Sequence, residues 1–239
     1  FYLGAREVTN AEFRKFKPEH SSGSFGGLSL NDDGQPVTNV TWDEVVQYLN
    51  WLSVKDGLQP VYEERAGGWA PVRPLRTGYR LPTEAEWEWA ARFAGRETGL
   101  LFPWGGELPP PEHAGNYADV AAAKILQTTL ITYNDGFPVS APVATFAPNA
   151  YGIHDLGGNV SEWVQDYYTL DIVDESQSGG YSDSYTRHDG TLTHTWTYPH
   201  QAHGWSLVRL GKLGSWFLLL IVSYALVAMV NRPRPYAAP

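Results

Sequence analysis

The chain contains no cysteine among its 239 residues. That absence excludes disulfides, Cys-ligated zinc, iron–sulfur clusters and any thiol nucleophile. It leaves the compartment open, because a secreted protein need not carry disulfides. Positive charge is also scarce: 17 Lys and Arg stand against 26 Asp and Glu, a formal net charge of -9. Such a balance argues against a nucleic-acid binder, which would be basic. Charged residues make up 18%, below the roughly 25% of an average soluble domain. No Gly-rich phosphate loop and no G-x-S-x-G nucleophile elbow occurs. The chain begins at Phe1 with no signal peptide in view, so processing or trimming ahead of it is expected. Against these shortages stand ten tryptophans and fourteen tyrosines, too many for a disordered chain. The 24 glycines and 17 prolines predict long ordered loops.

Three helix starts are written as capping boxes, in which a Thr oxygen takes a backbone N–H and a Glu reaches back. Thr9-Asn10-Ala11-Glu12 is the first, with Phe13 and Phe16 on one face. Thr41-Trp42-Asp43-Glu44 is the second. Val45, Leu49 and Leu52 follow at helical spacing, and Gly57 is the expected stop. Thr83-Glu84-Ala85-Glu86 is the third, with Trp87, Ala90, Ala91 and Ala94 on one face and Gly95 at the end. Residues 96–160 are broken by Pro103, Gly105-Gly106, Pro109-Pro110-Pro111, Asn134-Asp135-Gly136 and Pro148-Asn149. That spacing leaves room only for short strands. Residues 171–204 are polar, and no internal repeat is visible.

The C-terminal part changes character. No charged residue lies between Lys212 and Arg232, and Trp216 to Val230 reads WFLLLIVSYALVAMV. At a rise of about 1.5 Å per residue, a helix over 213–231 spans about 28 Å, close to the roughly 30 Å hydrocarbon core. Arg232 and Arg234 flank it. The pattern predicts a transmembrane helix at 213–231 and a short tail at 232–239; a buried core helix or a paired strand is the alternative.

Several strings occur together and in order: EVTNAEF (7–13), PVTNVTW (36–42), YRLPTEAEWEWAAR (79–92), FPWG (102–105), GNYAD (115–119), APVATFAPNAYGIHDLGGNVSEWVQDYY (141–168) and GSW (214–216). They resemble the formylglycine-generating enzyme family, also called the sulfatase-modifying factor domain, over about residues 1–168. The resemblance implies an α+β, C-type-lectin-like fold: a few helices around a small twisted sheet, little regular structure and much ordered loop. It implies one domain over 1–212 that diverges from 169 onward, with a further N-terminal stretch ahead of Phe1. The family's oxidase members hold copper with two cysteines shortly after the GSW-like motif. The matching positions here are Leu218 and Ser223, neither of which offers the soft thiolate that Cu(I) wants. Copper and formylglycine-generating oxidation are therefore not expected. The family's arginine-rich ending and closing GFR strand are also missing.

The resemblance further implies two Ca²⁺ sites. The first matches Asn116, Tyr117, Asp135 and Phe137, with Tyr117 and Phe137 contributing backbone carbonyls. The second matches Asp155, Gly158, Val160 and Glu162. Calcium takes about six to eight hard oxygens and accepts mixed side-chain and backbone ligands. Taken without the resemblance, Asn116, Asp135 and Asp155 also read as ordinary turn residues. His188, His194, His200 and His203 crowd a polar segment and His154 lies in a family motif, but no helical ligand spacing joins them; a solvated loop is expected. Glu84, Glu86 and Glu88 read as structural, Glu86 as a capping partner. Trp42, Trp51, Trp87, Trp89, Trp104 and Trp163 are expected to pack the loops, while Trp196, Tyr198 and Trp205 are candidates to face a ligand or a partner.

These features predict a non-catalytic, calcium-stabilised scaffold or accessory subunit. It would bind a protein partner in a membrane complex, contact the bilayer through 213–231, and expose its globular domain to the periplasm or the exterior. No catalytic residue and no nucleic-acid partner is expected. The alternatives are a metal-dependent oxidoreductase with histidine ligands and a lectin-like binder with a diversified C-terminal surface.

Overall fold

The computed structural model describes residues 1–171, 180–187, 192–199, 224–225 and 229–230, with side-chain surroundings through Asp166. All three capping boxes form. Thr9 opens α1 (Asn10–Phe13), Thr41 opens α2 (Trp42–Lys55) and Thr83 opens α3 (Glu84–Glu88), each with both reciprocal bonds present. α1 is a single turn, so Phe16 lies beyond it, though it still packs on the same core. α2 ends as expected, at Asp56 followed by Gly57 with φ 69°.

The third helix departs from expectation. After Glu88 it widens into a π-helical turn, Trp89–Phe93, before Gly95 at φ 72°. The Asn149 side-chain amide donates to the Ala90 carbonyl at 2.9 Å. A side chain that draws a carbonyl out of the i→i−4 ladder is a recognised cause of such a distortion. The turn leaves Trp89 45% exposed instead of packing the loops; it stacks on Tyr151 with centroids 5.3 Å apart.

The strands are short. β1 is Tyr2–Leu3, β2 Ser24–Phe25, β3 Leu28–Ser29, β4 Tyr62–Arg65, β5 Gly68–Pro71, β6 Tyr79–Arg80 and β7 Ser161–Glu162. β8 (Asp166–Asp171), β9 (Gly180–Arg187) and β10 (Leu192–Pro199) form an antiparallel sheet in the order β10-β9-β8. β2 and β3 turn through Gly26 and Gly27, both at positive φ, as a two-residue hairpin loop requires. A Cβ at Gly26 would sit 2.4 Å from Ile125. Residues 96–160 carry no strand, only the isolated bridges Phe102↔Gly105 and Asp119↔Leu130.

Of the transmembrane helix expected at 213–231, the structure describes four residues, and they are strands: β11 (Tyr224–Ala225) and β12 (Met229–Val230). β12 lies between β1 and β6, pairing Met229 with Leu3 and Arg80, and β11 runs parallel to β7. The paired-strand alternative therefore holds at these positions. The physical reason is that β1 and β6 are two-residue strands whose backbone groups need a partner between them. The rest of that run lies outside the described residues, among which no helix is long and apolar enough to cross a membrane.

The main core gathers on α2. Phe13, Val37, Val45, Val46, Leu49, Val61 and Leu81 are sealed from solvent, with Phe16, Trp42, Trp51, Trp69 and Trp163 packed around them. A smaller cluster joins Ala90, Ala91 and Leu156 to Leu3, Trp87 and Ile153. Two indoles fasten the 161–166 segment to the main core: Trp42 donates to the Val164 carbonyl and Trp163 to the Val40 carbonyl, each at 3.1 Å. That anchoring sets Glu162 over the smaller cluster, where its carboxylate accepts the Trp87 indole N–H.

Candidate metal centre

Two loops, around 115–121 and 133–139, meet where the first cation set was expected. Asp135 accepts the Tyr117 N–H on Oδ2 and the Phe137 N–H on Oδ1, both at 2.7 Å. Asn116 is buried, and its amide nitrogen donates to the Val139 carbonyl at 2.7 Å and to Asn159 Oδ1 at 3.2 Å. Its amide oxygen is then the group it can offer a cation. The structure thus brings Asn116, Tyr117, Asp135 and Phe137 together. It adds Asp119, which the sequence did not single out. Asp119 is fully buried between the same loops, accepting the Ala121 N–H at 2.7 Å and the Asp135 N–H. Burial, and after it the Asp119 carboxylate, pushes the Asp135 carboxyl up to about 6 against the pull of the two N–H donors.

The second set is more demanding. Asp155 sits at φ 61° and accepts the Ala144 N–H on Oδ2 at 2.7 Å, while its Oδ1 is buried without a hydrogen-bond partner. Part of the Glu162 residue reaches the surface, but its carboxylate is buried. Oε2 takes the Trp87 indole, and Oε1 has no partner. Glu7 joins them from the other end of the domain. It is 1% exposed, accepts Asn159 Nδ2 on Oε2 at 2.9 Å, and leaves Oε1 without a partner. Burial pushes Glu162 up to about 8, with Asp155 adding to it. Burial also raises Asp155, and raises Glu7 well above the usual carboxylate range, Asp155 and Glu162 adding to Glu7. A buried carboxylate with an unmet oxygen takes either a proton or a cation.

The donor chemistry fits a hard cation such as Ca²⁺. Among the described residues no three His, Asp or Glu side chains converge tightly enough to form a metal site alone. Amide and backbone oxygens would therefore have to complete either set. Glycine at 158 is what lets the second loop close on the first, since a Cβ there would lie 2.4 Å from the Asn116 carbonyl. The Gly158 carbonyl itself accepts the Val160 N–H at 2.8 Å.

The other candidates are structural where they are described. His154 Nδ1 bonds the Phe146 carbonyl at 2.7 Å. His194 lies in β10, and His188, His200, His203 and Trp205 fall outside the described residues. Glu86 caps α3 and pairs with Arg80 at 2.7 Å, and Glu88 pairs with Arg92. Glu84 is half-buried and pushed up to about 7 by burial, then by Glu88 and Asp166. Trp104 stacks on Phe102 at 4.7 Å and meets Tyr117 edge-on at 4.9 Å, so it does pack a loop. Glu7 carried no signal in the sequence beyond its place in EVTNAEF. Asp119 carried none beyond its place in GNYAD.

Residues 1–191 match the sulfatase-modifying factor enzyme 1-like domain family, and residues 186–224 match a family described only as a protein of unknown function. The chain is similar to the formylglycine-generating enzyme of Bos taurus, 36% identical over 191 residues, covering 71% of this chain and 50% of that protein. It is also similar to the inactive Cα-formylglycine-generating enzyme 2 of Bos taurus, 33% identical over 134 residues, covering 56% of this chain and 33% of that one. The chain thus spans half the length, or less, of these relatives. The solved Treponema denticola variable protein 1 shares the fold with a TM-score of 0.59 at 18% identity, over 96% of this chain and 84% of that one. The family match over most of the chain, together with the capped helices and the loop-built, sheet-poor architecture, makes it a member of the sulfatase-modifying factor family, one that contains no cysteine.

Proposed function

We propose that this chain is a non-catalytic, calcium-stabilised scaffold that offers its loops to a protein partner. The observation that carries the reading is the group formed by Glu7, Asp155 and Glu162, each with a buried oxygen that no protein donor reaches. A cation in that region, completed by amide and backbone oxygens, would neutralise desolvated acceptors and fasten the 155–162 loop. The lack of cysteine supports the non-catalytic part, since the thiolate pair of the family's oxidases has no counterpart at Leu218 and Ser223. A relative described as inactive supports it too. Trp89 and Tyr151, stacked and about half exposed, support a docking face. Export of the globular domain to the periplasm or exterior suits a calcium protein. Location at a membrane is the lesser part of the reading. It rests on the charge-free run between Lys212 and Arg232, and the strand pairing of β11 and β12 counts against a helix through all of 213–231.

The test is calcium content together with melting. The purified chain is expected to hold calcium and to melt lower in EGTA; no calcium and unchanged melting defeat the reading. Incubated with copper, oxygen and a sulfatase-motif peptide, it is expected to leave the peptide cysteine unchanged. Formylglycine above the control would make it an enzyme. Retention in the pellet after carbonate extraction is the expected result for membrane attachment, and full release removes the membrane from the reading.

A further inference from the structure

One buried side chain touches both candidate sets. Asn159 is 8% exposed and sits at φ 65°. Its Nδ2 donates to Glu7 Oε2 at 2.9 Å and to the Ala141 carbonyl at 3.3 Å. Its Oδ1 accepts the Ala141 N–H at 2.8 Å and Asn116 Nδ2 at 3.2 Å. Its own backbone N–H donates to the Asn116 carbonyl at 2.9 Å. Both ends of the amide are committed, which fixes its orientation: nitrogen toward Glu7, oxygen toward Asn116. Asn116 belongs to the first set. Glu7 belongs with Asp155 and Glu162.

We propose that Asn159 couples the two sites, so that a cation at either one raises the affinity of the other. The inference rests on the calcium reading above. A cation on the Asn116 amide oxygen withdraws charge from that amide and makes its N–H a stronger donor to Asn159. Polarised in turn, Asn159 donates more strongly to Glu7, since hydrogen-bonded chains reinforce one another in a low-dielectric interior. That holds the Glu7 carboxylate more firmly in place. The first ion also orders Asn116, Asn159 and Glu7, so less ordering remains for the second. Repulsion between the two ions opposes this. It is offset locally, because Asp119 and Asp135 lie at the first site and buried carboxylates lie near the second. Asn159 acts through Asn116 and Glu7 and is a positioning residue.

Calorimetric titration of metal-free protein with calcium tests the coupling. E162Q leaves the first site alone and D135N leaves the second alone. In the wild-type chain the overall constant for two ions is expected to exceed the product of those single-site constants by about five-fold or more. In N159G, where glycine tolerates φ 65° without the bridge, the overall constant should equal the product. N159D serves if N159G does not fold. It replaces the donor to Glu7 with a like charge, and the enhancement should again vanish. Two ions binding independently in the wild-type chain overturns the proposal, as does coupling that survives in these variants. No calcium binding at all overturns the calcium reading, and this proposal with it, and is distinguishable from binding without coupling.

Discussion

Around α2, Phe13, Val37, Val45, Val46, Leu49, Val61 and Leu81 have no solvent exposure, and the polar groups among them are met by protein. Asn10, for example, donates to the Leu30 and Asp32 carbonyls at 2.8 and 2.9 Å and accepts from Ser22 at 2.6 Å. Between residues 115 and 162 the buried aliphatic side chains are smaller: Ala118, Ala122, Val139, Ala141, Leu156 and Val160, with Tyr117, Tyr133 and Phe146. There the loops are joined by Asn116, Asp119, Asp135 and Asn159, and the Asp155 and Glu162 oxygens are left over, together with that of Glu7 from outside the segment. Both regions bury polar atoms, but only the second buries charge it does not balance. Apolar burial is complete as soon as the chain folds. A buried carboxylate is complete only when something neutralises it.

Leu49→Ala should cost the most. Truncating a sealed leucine typically removes about 2–5 kcal/mol, and the loss should be the same with and without calcium because the site lies in the self-sufficient region. A calcium-dependent loss in denaturant melts would break the comparison. Chelation comes next. A ligand held at a hundred times its Kd contributes about 2.7 kcal/mol, so EGTA should lower the melting temperature by about 5–10 °C at this chain length. In Glu162→Gln the second site's share of that drop should disappear, and an undiminished EGTA effect would place the calcium elsewhere.

A third prediction concerns pH. In the metal-free fold, Glu162 is pushed up to about 8, Asp135 up to about 6, and burial raises Glu7 well above the usual carboxylate range. Between pH 5 and 8 the folded chain therefore binds more protons than the unfolded one, and its stability falls as pH rises. The fall should be of order 1–3 kcal/mol and should flatten when calcium is saturating. A metal-free stability that rises over this window would mean the carboxylates are already balanced. The smallest effect belongs to Thr41→Ala. Loss of an N-cap costs about 1 kcal/mol and should depend on neither calcium nor pH in this window.

The helix starts were legible because a capping box is completed within four residues, and Thr9, Thr41 and Thr83 all form one. The end of the third helix was not legible. Its π-turn depends on Asn149, 59 positions from the carbonyl it engages. Tyr117, Asp135 and Phe137, grouped in the sequence only through the family resemblance, do lie together, since both backbone N–H groups donate to the Asp135 carboxylate. The apolar run near the C-terminus read most simply as a spanning helix. Hydropathy records that residues avoid water, and both lipid and the gap between β1 and β6 satisfy that condition.

By itself the sequence determined the capped helices, the apolar stripe of α2, the loop-rich middle and the lack of any thiolate chemistry. Each follows from residue type or from neighbours within a turn or two. Only the tertiary structure decided that Met229–Val230 is a central strand, that Asp119 backs Asp135, and that Glu7 meets Asn159 from 152 positions away. Carboxylates far apart in the chain have no local energy that draws them together. Like charges in a buried space repel, so their meeting is imposed by the packing of α2 and the indole anchors at Trp42 and Trp163.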